Sequence, residues 1–181
     1  MPEAEVSLRL AIYLLSLDKA ESRVAVSIDT QHVTSGGRQI CDVAKLLTAD
    51  GWTLASPKFS CSWRGIWKRQ AKEIHISDNS GHCDVAITID GKNYRAESKG
   101  APKRPPQDKN QVQQAIGQLL VAENVSSDDV LLIALPSTLR NKENWQNRPL
   151  MLQNKIRMVF IYPDGSVKPS IAIRDIVSHT E

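Results

Sequence analysis

The chain has 181 residues and a mass of 20.1 kDa, one domain of ordinary size with at most a short appendage. With 41% hydrophobic and 24% charged residues and a net charge of +3, it falls near the globular average, which argues against wholesale disorder. No stretch approaches the roughly 18 apolar residues of a membrane helix, Glu3 and Glu5 stand where a secretory leader has basic residues, and Cys41, Cys61 and Cys83 form no CxxC pair, so a cytoplasmic protein without a disulfide scaffold, zinc knuckle or membrane partner is expected.

Residues 5–18 carry Val6, Leu10, Tyr13, Leu14 and Leu17 at helical spacing and predict an amphipathic helix. Val24, Val26 and Ile28 alternate with Arg23, Ala25 and Ser27, as in a strand. Ser35-Gly36-Gly37 breaks the pattern. Ile40, Val43, Leu46 and Leu47 restore helical spacing over 38–50, and Gly51 is placed as the C-terminal cap. Trp52 to Ala55 reads as a short strand ended by Pro57. Residues 58–72 then carry Lys58, Arg64, Lys68, Arg69 and Lys72 with no acid, and Trp63 and Trp67 lie among them.

Glu73 to Ser77 is the next predicted strand, followed by a polar turn over 78–81. Between 82 and 90, Cys83, Val85, Ile87 and Ile89 alternate with Asp84, Ala86 and Thr88. Asp90-Gly91 is a strong hairpin signal, and 93–99 is the return strand. Three prolines exclude regular structure over 100–106. A long helix is predicted over 107–123, with Val112, Ile116, Leu119 and Leu120 on its apolar side. Asp129 to Leu135 is a continuous apolar run, the mark of a strand covered on both faces. A helix or irregular stretch reaches about Asn154, Ile156 to Tyr162 is a further strand, and 163–165 a turn. The tail from Val167 adds at most one more strand. The fold class is α/β, with a mixed sheet flanked by helices and a hairpin at its centre.

The hairpin carries the chemistry. Glu97 and Lys99 are two apart on one strand and share a face. Asp84 lies about as far before the turn as Glu97 lies after it, so the two carboxylates end up opposite each other. Two carboxylates with open positions suit Mg²⁺, a hard cation that keeps several waters, and the main-chain carbonyl of Ser98 adds an oxygen. Such a metal lowers the pKa of a bound water and neutralises a phosphate. An adjacent ammonium orients that water or offsets charge developing on phosphorus. Charge along the chain fits this chemistry. Residues 73–98 hold two cations and five acids between the basic run 58–72 and a second basic segment, 99–109.

The run GHCDVAITIDGKNYRAESKG resembles the bipartite signature of the PD-(D/E)xK nuclease superfamily, the fold of restriction endonucleases and Holliday-junction resolvases. Asp84 matches that family's first acid, and Glu97-Ser98-Lys99 its (D/E)xK. The resemblance implies a restriction endonuclease-like αβββαβ core over 38–135 within a single domain. Residues 38–50 would be its first helix and 52–55 its first strand. Residues 1–35 would form an N-terminal helix–strand extension, and 136–181 would extend the sheet. It implies a Mg²⁺- or Mn²⁺-dependent endonuclease acting on DNA, with Asp84, Glu97 and Ser98 holding metal and Lys99 assisting the attacking water. Gln118, with Gln114 close behind it, would position that water, and Asp42 would be a further acid. A homodimer and a separate motor or specificity subunit are partners the family allows. The sequence departs from the pattern at Ser98, where an apolar residue is usual, and at Cys83, where proline often stands.

Arg64, Lys68, Arg69 and Lys72, with Lys103 and Arg104 on the proline loop, are the candidate nucleic-acid contacts. Trp63 and Trp67 would stack on unpaired bases or anchor the core. Each choice has a plainer counterpart: Glu97 and Lys99 as a solvated pair, the glutamines as a wet helix face, Asp42 as a surface acid. The alternative function is a module on the same fold that binds nucleic acid or a partner without cutting. His75, His82, Cys61 and Cys83 match no common zinc spacing.

Overall fold

The computed structural model describes residues 1–58, 61–78, 83–101, 108–122 and 125–170. It opens with helix α1 (Glu3–Ser16), strand β1 (Arg23–Ser27) and a single helical turn, α2 (Thr30–Val33). A small hairpin of β2 (Thr34–Ser35) and β3 (Arg38–Gln39) follows, then α3 (Val43–Ala49). Strands β4 (Thr53–Pro57), β5 (Gly65–Arg69) and β6 (Lys72–Ser77) form a meander, and β7 (Val85–Ile89) and β8 (Lys92–Ser98) the next hairpin. Helix α4 (Asp108–Val121) leads to β9 (Val130–Pro136). The described chain ends with α5 (Leu139–Gln146), α6 (Leu150–Lys155), β10 (Ile156–Ile161) and β11 (Val167–Pro169). Among the described residues, one mixed nine-stranded sheet runs in the order β11-β10-β9-β8-β7-β1-β6-β5-β4.

Two apolar layers cover this sheet. Leu132 and Ala134 of β9, with Val159 and Ile161 of β10, pack on the side of Val6, Leu10 and Leu14 of α1. Leu131, Ile133 and Leu135, with Met158 and Phe160, pack on the other side against Val112, Ile116 and Leu119 of α4. Successive strand residues point to opposite faces, so a strand buried on both sides must be apolar throughout. The VLLIAL run is that case. No helix among the described residues is long and apolar enough to cross a membrane.

Three expectations change. The helix expected over 38–50 begins only at Val43, because Arg38 and Gln39 pair with Ser35 and Thr34 across Gly36 and Gly37. Those glycines sit at φ 58° and 76°, the left-handed geometry of a two-residue hairpin turn. Asp42 then caps α3, its Oδ1 accepting from Lys45 N at 2.9 Å. Second, the basic run 58–72 contains a strand, β5, and Trp67 on it is a buried core anchor at 2% exposure. Third, residues 1–35 are no extension. β1 lies inside the sheet, parallel to β6 and antiparallel to β7, with α1 packed over it. The strand expected at 52–55 is the far edge of the sheet. The strand that neighbours the hairpin on its β7 side is therefore β1, with α1 packed on it, and β4 lies three strands further out.

Candidate active site

β7 and β8 pair with Val85 opposite Ala96 and Ile89 opposite Lys92, and Asp90 and Gly91 turn at φ 52° and 75°. One further step of this register puts Asp84 opposite Glu97. Asp84 is tied down by its own backbone: its N donates to Ala96 O at 2.9 Å and its carbonyl accepts from Ser27 N at 2.8 Å. Its Oδ2 accepts from Ser98 N at 2.7 Å. Glu97 is 5% exposed and Lys99 9%, and Lys99 Nζ donates to Glu97 Oε1 at 2.7 Å. Glu3, in the first turn of α1, brings Oε1 to 3.6 Å from Lys99 Nζ and 3.6 Å from His32 Nε2. Strands β7 and β8 thus place three of the expected residues, and α1 adds an acid from the start of the chain.

Burial pushes the Asp84 carboxyl up to about 7, and the neighbouring Glu97 charge adds to the rise, against the Ser98 N–H and the Lys99 ammonium. Glu97 is also raised, chiefly by burial, with Lys99 opposing. Burial alone would lower Lys99, but Glu97, Glu3 and Asp84 outweigh it and keep the ammonium charged. Three carboxylates around one ammonium leave an excess of negative charge in a place where it is poorly solvated. The group therefore favours either a bound proton or a bound cation.

These residues line a cleft of about 700 Å³. Asp84, Glu97 and Lys99 form its base, Gln114 and Gln118 of α4 one wall, and Asp29, Gln31 and His32 the other. Gln114 and Gln118 are solvent-exposed into it, whereas Gln111 turns its Nε2 to Gly100 O at 2.9 Å. Ser98 Oγ is buried without a hydrogen-bond partner among the described residues. Sequence reasoning missed Glu3, Gln31 and His32. Glu3 read only as a first-turn acid of a helix, and nothing local tied residues 29–32 to the hairpin.

The remaining expected residues lie elsewhere. Asp42 is absent from the cleft lining and serves as the α3 cap. Arg64 is absent from the cleft lining and is bonded to Thr30 Oγ1 at 2.9 Å and Asp78 at 3.0 Å and stacked on Trp63. Lys68, Arg69 and Lys72 are at the opposite end of the sheet. In the ladder, Ser27 pairs with Ser77 at the Asp84 end, and Arg23 with Glu73, the partner of Lys68, at the other. Four residue steps along the strand separate those ends, about 13 Å. Lys68 binds Glu73 at 2.8 Å, Arg69 binds Asp50 at 2.8 Å, and Lys72 donates to the carbonyl of Leu15 near the last turn of α1. Glu3 is at the first turn of that helix. Lys103, Arg104 and His82 lie outside the described residues.

Among the described residues, no three His, Cys, Asp or Glu side chains gather as a metal-ligand set. His75 pairs with Glu73 at 2.7 Å, and burial raises the Cys83 thiol, so neither is disposed as a zinc ligand. The chain matches no protein-family model, no curated protein and no solved structure.

Proposed function

We propose that this protein is a metal-dependent nuclease of the PD-(D/E)xK kind, hydrolysing phosphodiester bonds in DNA. The observation that carries this reading is the meeting of Asp84, Glu97 and a buried, charged Lys99 at the base of one open cleft, with Gln118 on its wall. The succession α1, β1, β7, β8, α4, β9 supports it as well. The four strands are neighbours in that order, and β9 runs parallel to β8, as an αβββαβ core requires. Residues 28–83 would then be an insertion between its first and second strands.

The donor set suits Mg²⁺ or Mn²⁺. Asp84 and Glu97 each use one oxygen in the hydrogen bonds above and retain the other. Two carboxylates, helped by the Ser98 carbonyl, are what a cation that keeps much of its water requires. When bound, it would neutralise the phosphate and acidify a water. Lys99 orients the attacking water and offsets charge building on the phosphoryl oxygens, and Gln118 holds that water by its amide. As the water oxygen bonds to phosphorus it releases a proton to bulk water, the bond to the leaving oxygen breaks, and that oxygen takes up a proton from bulk water.

The test is incubation of supercoiled, linear and branched DNA with Mg²⁺ or Mn²⁺, wild type beside Lys99→Ala and Glu97→Ala. Loss of cleavage by at least about 10²-fold, with the circular dichroism spectrum retained, is the expected result. Undiminished metal-dependent cleavage by both variants overturns the proposal. Nucleic-acid binding without any metal uptake by calorimetry favours the non-cleaving module instead.

A further inference from the structure

A second groove, of about 620 Å³, adjoins the cleft and shares Glu3, Gln31 and His32 with it. Its chemistry differs. The first gathers acids around an ammonium. Among the described residues, the second has no lysine or arginine side chain in its lining and, apart from Glu3, no acid. A seat for backbone phosphates needs cations or a cluster of N–H donors. This groove offers instead the Gln31 amide, the buried and unpartnered Oε1 of Gln111 and the His32 ring, set beside Pro2 and Ile40. An imidazole ring beside amide groups is what an unpaired base needs: a plane for its face and polar partners for its edge.

Both walls are held by backbone. On one side, Val33 O accepts from Ile40 N at 2.8 Å and from Cys41 N at 3.2 Å, which fixes Ile40 while leaving it 41% exposed. On the other, Ala101 N donates to Met1 O at 2.7 Å, and a Cβ on Gly100 would lie 2.7 Å from Glu3 N. The absent side chain at Gly100 lets the chain after Lys99 lie directly on the start of α1. The groove is therefore built by close backbone approach, and Gln111 Oε1 is left buried without a partner among the described residues.

We propose that this second groove receives an unpaired base beside the scissile phosphate, so that the substrate is single-stranded or locally opened nucleic acid. The proposal rests on the nuclease reading for the position of that phosphate, but its test reads binding rather than cleavage. End-labelled 12-mers are titrated by fluorescence anisotropy in EDTA and in Ca²⁺: a DNA single strand, the matching RNA, the blunt DNA duplex, and single strands with one abasic position moved along them. Single strands are expected to bind about tenfold tighter than duplex, with about a tenfold loss at one abasic position, the scale of one stacked base. The RNA arm tells which sugar is accepted. The double variant Gln31→Ala/Ile40→Ala changes two exposed side chains, so the fold is retained. It is expected to weaken single-strand binding about tenfold and to abolish the abasic penalty.

Equal affinity for duplex and single strand, indifference to every abasic position, an unaffected double variant, or no binding of any oligonucleotide overturns the proposal. The nuclease reading fails separately if single strands show the abasic signature but wild type cuts none of them with Mg²⁺ or Mn²⁺. It stands while the groove proposal falls if cleavage requires Lys99 yet duplex and single strand bind alike.

Discussion

Glu73 and Asp84 are carboxylates on the same sheet, and their environments drive them in opposite directions. Hydrogen bonds from Lys68 and His75 hold Glu73 down to about 2, in contact with water. Burial and the charge of Glu97 push Asp84 up to about 7. At the β5–β6 end each acid has found its cation, and the charges are satisfied within the chain. At the β7–β8 end there are three acids for one lysine, and solvent is largely excluded. Basic residues that are conspicuous in the sequence are therefore the ones with least left to do. The charge that still lacks a complement sits where the sequence shows only two acids and a lysine.

The largest effect that separates the two ends is on stability. Lys99→Met strips the ammonium from buried Glu97 and is expected to cost about 3 kcal/mol or more in urea denaturation. Next is metal. Cation binding requires Asp84 to shed its proton, so a thermal shift with Mg²⁺ is expected to be larger at pH 8 than at pH 6. At one hundred times the dissociation constant the gain is about 2.7 kcal/mol, and it is expected to vanish in Asp84→Asn.

Without metal the sign reverses. A carboxyl raised on folding costs nothing below its unfolded pKa, and the cost grows as pH climbs toward 7. Asp84→Asn keeps an acceptor for Ser98 N and is expected to be more stable than wild type at pH 8, by about 2 kcal/mol, and equal to it near pH 4. Glu73 gives the opposite slope. Its contribution is present above the usual carboxylate range and fades as pH falls toward 2, so Glu73→Gln is expected to destabilise at pH 7 and not at pH 2. The smallest effects belong to the exposed pairs. Lys68→Met and Arg69→Met are expected to change stability by about 1 kcal/mol or less and to leave the salt dependence of nucleic-acid binding unaltered. A drop in that dependence would bring the far end of the sheet back into the binding surface.

Much of the site was legible because it is local. Alternation over 85–89, the Asp90-Gly91 turn and the spacing of Glu97 and Lys99 define a hairpin register without reference to the rest of the chain. The same holds for β9, whose unbroken apolar run reports burial on both faces. What stayed hidden is pairing over distance. Strand β1 finds partners at 73–77 and 85–86, and nothing in RVAVS says which. That concealed the role of α1, and so Asp42, a local helix cap, stood in for Glu3. Strand β5 was hidden by composition: its lysine and arginine drew attention from the alternation that buries Trp67. Charge told where cations were plentiful, but not that Arg64, Lys68 and Arg69 each had an acid beside them.

The packing of α1 also sets a schedule. This helix is synthesised before every strand it packs on, yet it lies against β7 to β11 as well as β1. Glu3 and Lys99 are 96 residues apart in sequence, and β8 is flanked by β9, which follows α4. Contacts of such long range close late in folding. A nascent chain therefore emerges with Leu8, Leu10 and Leu14 still awaiting the strands that will bury them, a condition that invites chaperone engagement. The cleft is complete only after α4 and β9 have followed β8 out of the ribosome, so whatever chemistry it performs is withheld from translation products that stop short of them.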